Sequence, residues 1–257
     1  MRHFADSTSE VPRELTPSEI VSFENEFAKA AARAKRAGFD GIEIHACHGH
    51  LIAQFLSPNT NKRADEYGGS LGNRMRFLAN IIRKTRAQVG ENMALGVRIS
   101  GNEHIQGGLV NQDFKVIVEE LQKEGIDYVH VSDGTLESFS YFLPQTDGTM
   151  LDEASVFKQV LTIPVITPSI HDPAMADRAI QDGKTDMVSL ARGLLTDPEW
   201  ARKVSQGQAS EIVKCTRCNF CMSREAVGLP ARCPLNPNSG RERYMPQYWQ
   251  PPAELER

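Results

Sequence analysis

The sequence predicts an α/β chain built as a partial (β/α)8 TIM barrel, about five βα units followed by a cysteine-rich metal-binding extension. Three observations predict it. Short apolar strands alternate with amphipathic helices from residue 16 to about residue 205, the pattern of parallel strands joined by right-handed crossovers. Polar residues stand at the C-terminal ends of the strands (His45 and His48, Arg98, Ser132 with Asp133, then Ala191 with Arg192), where a barrel collects its active-site groups. The glycine-rich dinucleotide fingerprint that an open doubly wound sheet would carry is absent.

The elements follow in order. Thr16-Pro17-Ser18-Glu19 makes a capping box with proline at the first helical position, and Phe23, Phe27, Ala30, Ala31 and Ala34 supply the apolar face of a helix that Gly38 stops. A strand at 41–45 comes next. Residues 73–89 read as the second helix, with Met75, Phe77, Leu78, Ile81 and Ile82 on its apolar face, and 94–100 as the next strand. The unit repeats at 113–123 with 128–132, at 153–161 with 164–167, and at 174–182 with 187–190. A short helix near 199–204 closes the series, giving five strands. Beyond it, cysteines, prolines and the loop-like tail at 245–252 replace periodic apolar residues, so this part needs a metal staple to hold its shape. Two units are expected, a barrel part at 1–205 and an extension at 206–257.

A chain of 257 residues, 40% hydrophobic and 24% charged, buries enough surface for one sizeable α/β core. The net charge of −4 is dispersed and forms no basic stripe, which argues against nucleic acid as a partner. The first ten residues carry no apolar leader and no run of apolar residues is long enough to span a bilayer, so a cytoplasmic location without membrane contact is expected. Five cysteines, four of them clustered, fit a reducing compartment and metal ligation better than a disulfide framework.

Those four are Cys215, Cys218, Cys221 and Cys233, in Cys-Thr-Arg-Cys-Asn-Phe-Cys followed by Arg-Cys-Pro. Three thiolates within seven residues reach three corners of one cubane, and a fourth arrives from beyond a short loop, with Pro234 after it as in bacterial ferredoxin runs. Zinc sites more often pair two separated Cys-x-x-Cys knuckles, and the second knuckle is missing. A [4Fe–4S] cluster is therefore favoured, with structural zinc or no metal as the alternatives, since spacing restricts geometry without identifying the metal. Cys47 reads as a small buried residue, because nothing near it in sequence would lower its thiol pKa.

The run from Gly38 to Leu51, containing His45-Ala46-Cys47-His48-Gly49-His50, continues through Gln54-Phe55-Leu56-Ser57-Pro58 and from Asn61 to Ser70, then Asn73-Arg74. It resembles the Old Yellow Enzyme family of FMN oxidoreductases. The cysteine-bearing extension is similar to the iron–sulfur branch containing 2,4-dienoyl-CoA reductase and trimethylamine dehydrogenase. This resemblance covers nearly the whole chain, from about Pro12 to the 233–237 stretch.

The resemblance implies an eight-stranded barrel with FMN at its mouth, NAD(P)H as electron donor, and hydride transfer from the flavin to the β-carbon of an activated alkene. His45 and His48 match the pair that donates hydrogen bonds to the substrate carbonyl oxygen, where negative charge builds as hydride adds. Arg98 matches the cation beside the flavin pyrimidine, and Ala191-Arg192 the turn that grips the FMN phosphate. Three departures carry consequences. His50 stands where the family often has a proton-donating tyrosine, so an imidazole becomes the candidate acid. Thr167-Pro168-Ser169 stands where many relatives have glycine beside the phosphate, and since proline offers no N–H, Ser169 becomes the substitute donor. The chain also begins just before the family's fourth strand, and five strands cannot close the usual barrel.

The expectation is thus part of a flavin barrel from an NAD(P)H-dependent ene-reductase-like enzyme acting on an enone, enoate or enoyl-CoA. The chain would be a truncated product, one half of a split enzyme or an incomplete sequence, and its open edge should favour self-association or a partner that supplies the missing strands. The rivals are an amine or other substrate dehydrogenase on the same scaffold and a non-catalytic remnant that keeps the metal staple.

Overall fold

The Thr16 hydroxyl accepts from the Glu19 N–H at 3.3 Å while the Glu19 carboxylate accepts from the Thr16 N–H at 2.8 Å, so the first helix begins where its capping box places it. The computed structural model describes residues 12–242, and the expectations for the first ten residues and for the 245–252 tail lie outside them. Helix α1 (Pro17–Arg36) leads into β1 (Gly41–Ala46), then α2 (Leu51–Leu56), α3 (Leu71–Val89), β2 (Ala94–Ser100), α4 (Asn111–Lys123) and β3 (Tyr128–Ser132). There follow α5 (Phe139–Phe142), α6 (Leu151–Lys158), β4 (Val165–Pro168), α7 (Pro173–Gln181), β5 (Met187–Ser189), α8 (Arg192–Thr196) and α9 (Trp200–Ser205). After a 3₁₀ turn at Ala209–Glu211, α10 (Phe220–Glu225) lies in the cysteine-bearing segment.

The five strands form one parallel sheet in the order β1-β2-β3-β4-β5, each strand pairing with the next in sequence. Alternation along the strands divides the side chains between two faces. Ile44, Leu95, Val97, Ile99, Val129, Val131 and Val165 are buried in one core with apolar residues of the helices, among them Ile20, Phe77, Ile81, Ile117, Leu121 and Phe157. The alternate positions, Glu43, His45, Arg98, Tyr128, His130 and Ser132, carry polar groups on the other face.

Several boundaries and one helix face differ from the sequence reading. Ser70 caps α3 through a bond from the Asn73 N–H, so that helix starts at Leu71 rather than at 73. Helices α4 and α6 likewise begin two residues early, and the short helices α2, α5, α8 and α10 carry too few turns to show a period. On α1, Phe23 is 41% exposed and Ala30 is also exposed. The buried stripe runs instead through Ile20, Glu24, Ala28 and Ala31. Apolar periodicity misplaced the face because a carboxylate occupies the stripe: Glu24 is 1% exposed, and α3 satisfies it with Lys84 Nζ at 2.8 Å and Asn80 Nδ2 at 2.9 Å.

Residues 206–242 are tied to the strand-bearing part by polar contacts. Asp197, buried after α8, accepts from Lys203 Nζ at 2.7 Å and from the Val213 N–H at 2.9 Å. Asn236 donates to the Leu195 carbonyl at 2.9 Å, and Arg217 pairs with Asp147 while donating to the Gln145 carbonyl at 2.8 Å. Among the described residues no helix is long and apolar enough to cross a membrane.

Candidate functional site

Strand β1 ends at Ala46, and the chain then reverses through two successive left-handed residues, His48 at φ +61° and Gly49 at φ +75°. The His50 N–H closes the turn on the Cys47 carbonyl at 3.2 Å, and α2 starts at the next residue. This fold brings three imidazoles together. The ring centroid of His45 is 5.2 Å from that of His48 and 4.9 Å from that of His50, and His48 lies 6.3 Å from His50. His45 and His50 are exposed, whereas His48 is 8% exposed and rests against Phe142 at 4.6 Å.

Register places Arg98 of β2 opposite His45. The side chain donates from Nη2 to Ser132 Oγ at 3.4 Å, and the same oxygen lies 2.6 Å from His48 Nε2. Arg98 Nε is buried with no partner, an N–H left for a ligand. Burial pulls His48 down to about 3, with the charge of Arg98 and the neighbouring imidazoles adding to it. His45 is lowered by burial, then by His50 and Arg98. Both rings are therefore neutral at neutral pH, each with one N–H to donate.

The expected phosphate residues lie at the ends of β4 and β5. Ser169 takes the left-handed φ of +63° that glycine would adopt freely, and its N–H already donates to the Ser189 carbonyl at 3.0 Å. Ala191 directly precedes α8. Arg192 is 5% exposed and turns toward the cysteines, donating from Nη1 to Asn219 Oδ1 at 2.7 Å and from Nη2 to the Pro144 carbonyl at 2.8 Å. Burial lowers its pKa, opposed by nearby Cys215 and Cys221.

Cys215, Cys218, Cys221 and Cys233 line one small pocket with Arg192, Thr196 and Asn219, and none of the four is in a disulfide. Left-handed residues at Arg217 (φ +54°) and Asn219 (φ +56°) curl the chain between successive cysteines. The Arg217 N–H points at Cys215 Sγ at 3.4 Å, and Thr196 Oγ1 lies 3.4 Å from Cys233 Sγ.

The structure thus groups His45, His48, His50 and Arg98 at one strand-end cluster, and Arg192 with the cysteines at another. Sequence reasoning assigned no site role to Ser132, which links His48 to Arg98, or to Asn219, which links Arg192 to the cysteine loop. Ser132 was legible as a strand-end polar residue. Asn219 offered only the preference of asparagine for left-handed backbone.

The family model described as NADH:flavin oxidoreductase / NADH oxidase matches residues 2–211. The NADH oxidase of Thermoanaerobacter brockii is 42% identical over 249 residues, which is 95% of this chain and 38% of that protein. The cinnamate reductase of Clostridium sporogenes is 34% identical over 251 residues, covering 90% of this chain and 38% of the relative. Among solved structures, a complex of 2-naphthoyl-CoA reductase with 2-naphthoyl-CoA matches with a TM-score of 0.85 at 32% identity, over 90% of this chain and 36% of that one. The chain spans less than two fifths of the length of each.

Proposed function

The chain belongs to the NADH:flavin oxidoreductase / NADH oxidase family, and from that premise we propose that it forms part of an FMN-dependent enzyme that reduces activated C=C bonds at the expense of NAD(P)H. The observation that carries this reading is the neutral pair His45 and His48 beside the Arg98 guanidinium, whose buried Nε has no partner. Such a cluster presents donors and a fixed positive charge to an oxygen that becomes more negative during reaction. Donors aimed in advance at developing charge favour the transition state over the ground state.

FMN, when bound, supplies hydride chemistry between a nicotinamide and an alkene. The chain's own residues would bind and orient. His45 and His48 donate to the carbonyl oxygen of an enone, enoate or enoyl-CoA, with Ser132 fixing the ring of His48. Arg98 would supply a positive charge to the cofactor, and its free Nε–H would suit a hydrogen-bond acceptor on it. His50, exposed next to His45, delivers the proton to the α-carbon. Ser169, Ala191 and Arg192 would hold the cofactor phosphate, Ser169 through its hydroxyl and Arg192 while sharing its guanidinium with the cysteine loop.

The cysteine pocket fits a [4Fe–4S] cluster of the iron–sulfur branch. Four unpaired thiols surround one cavity, the Arg217 N–H points at one sulfur, and the Thr196 oxygen lies 3.4 Å from another. Residues 1–205 would then carry the flavin and 206–257 the cluster, which supplies one-electron transfer.

Anaerobic reconstitution with FMN, iron and sulfide tests the reading. Near-stoichiometric FMN and about four irons per chain are expected, with FMN affinity falling at least about ten-fold in Arg98→Ala. Reduction of cinnamate by NADH should fall by about two orders of magnitude in His45→Ala or His48→Ala. FMN bound with unchanged affinity by Arg98→Ala, or cinnamate turnover indifferent to both histidines, would overturn it.

A further inference from the structure

The run His45-Ala46-Cys47-His48-Gly49-His50 places four metal-ligating side chains within six residues, and the fold draws them together. One ring nitrogen of His45, the Sγ of Cys47 and one ring nitrogen of His48 all lie within 4.8 Å of one another. Cys47 Sγ is 3.8 Å from His45 Nδ1 and 3.7 Å from Nε2. Around a tetrahedral zinc-type ion, metal–nitrogen bonds of about 2.0 Å and a metal–sulfur bond of about 2.3 Å put nitrogen and sulfur about 3.5 Å apart and imidazole centroids about 5 Å apart. The centroid separations of 5.2 and 4.9 Å from His45 to its two neighbours match that spacing, while His50, exposed and 6.3 Å from His48, has to swing inward to complete the set.

We infer that His45, Cys47 and His48 form a binding site for a thiophilic divalent cation of the zinc class, with His50 as the fourth ligand. One thiolate with three imidazoles selects such ions over magnesium or calcium, which prefer oxygen. Cys47 and His48 form the buried floor and the exposed rings of His45 and His50 the rim, so the ion enters from the strand-end face. Binding replaces the Cys47 S–H bond with a sulfur–metal bond and releases the proton to solvent. This site is separate from the four-cysteine pocket, whose lining contains none of these residues. One consequence rests on the function proposed above: the ion takes the imidazole nitrogens that would meet the substrate oxygen, so bound metal and bound alkene exclude each other.

Cobalt(II) is the probe, titrated anaerobically into the whole chain with the four-cysteine pocket already loaded. Wild type is expected to bind one more Co²⁺ than Cys47→Ala and to show a thiolate-to-cobalt charge-transfer band that Cys47→Ala lacks. In His45→Ala, which alters an exposed ring and leaves the core intact, the affinity should fall at least about ten-fold. Equal stoichiometry and identical spectra in wild type and Cys47→Ala overturn the site, as does unchanged affinity in His45→Ala if Cys47→Ala does not fold. Neither readout involves FMN, nicotinamide or alkene, so failure here is distinct from failure of the proposed activity.

Discussion

His130 holds Glu43 across the polar face of the sheet, its Nδ1 3.0 Å from the Glu43 carboxylate. Its other ring nitrogen lies 2.8 Å from Ser189 Oγ, so one imidazole joins β1, β3 and β5. Strands in a sheet lie about 4.8 Å apart, and a side chain on the middle strand meets partners two strands away on either side only where that face curves inward. The relay therefore marks the concave side, the side that carries the His45–His48–Arg98 cluster. Burial alone would raise the Glu43 pKa. The hydrogen bond from His130 and the charges of His130 and Arg98 outweigh it and hold the carboxyl below its usual range.

Replacing Glu43 by alanine should cost about 1–2 kcal/mol, because His130 loses its acceptor on a half-buried surface. Urea unfolding of the two chains side by side measures it, and an unchanged midpoint would show that the contact adds nothing to stability.

Gly96 lies between these strands, and a Cβ there would sit 2.0 Å from the Tyr128 ring. Gly96→Ala should therefore destabilise by about 1–3 kcal/mol. In a Tyr128→Ala background the same change should cost much less, since the three nearest atoms all belong to that ring. A double-mutant cycle showing simple additivity would mean that Tyr128 moves aside freely.

The neutral form of His48 carries a pH dependence whose sign is determined. Its folded pKa, about 3, lies below the ordinary value of 6.5, so the unfolded chain binds the proton first as pH falls. Its contribution is complete above about pH 6.5 and is lost progressively toward about pH 3. His171, lowered by burial to about 4, acts in the same direction. Stability should fall between pH 7 and pH 5, and His48→Asn should flatten that slope. Chemical denaturation at the two pH values reads it, and equal slopes would count against a neutral buried His48.

Glu24 depends on Lys84 of the neighbouring helix. Lys84→Met should cost about 1–2 kcal/mol, a moderate loss because the ammonium is a third exposed and water recovers part of the interaction. The paired change Glu24→Leu with Lys84→Met should restore most of it. Thermal melts of the three chains decide whether the pair serves the core.

Asn219 is expected to govern loading of the cysteine pocket. It adopts a left-handed turn between two of the cysteines and binds Arg192. Asn219→Val opposes the turn and removes the bond, so iron per chain should drop several-fold. Asn219→Gly keeps the turn and should recover a good part of it. Equal iron content in both variants would separate the turn from metal loading.

The sequence by itself determined the alternation of strands and helices, the capping box at Thr16, the count of five strands and the grouping of the cysteines. Each of these is written within one strand, one helix face or one short loop, where apolar period, caps and ligand spacing act locally. Tertiary structure alone decided which stripe of α1 is buried, because that choice turns on Lys84 and Asn80 far along the chain, which make a buried carboxylate tolerable. It also decided that Arg192 faces the cysteines, that Ser132 ties His48 to Arg98, and that His130 bridges Glu43 and Ser189. Glu43 and His130 are 87 residues apart in sequence. Such partners meet only after the sheet has curved, and a one-dimensional pattern does not encode which distant polar group will satisfy which.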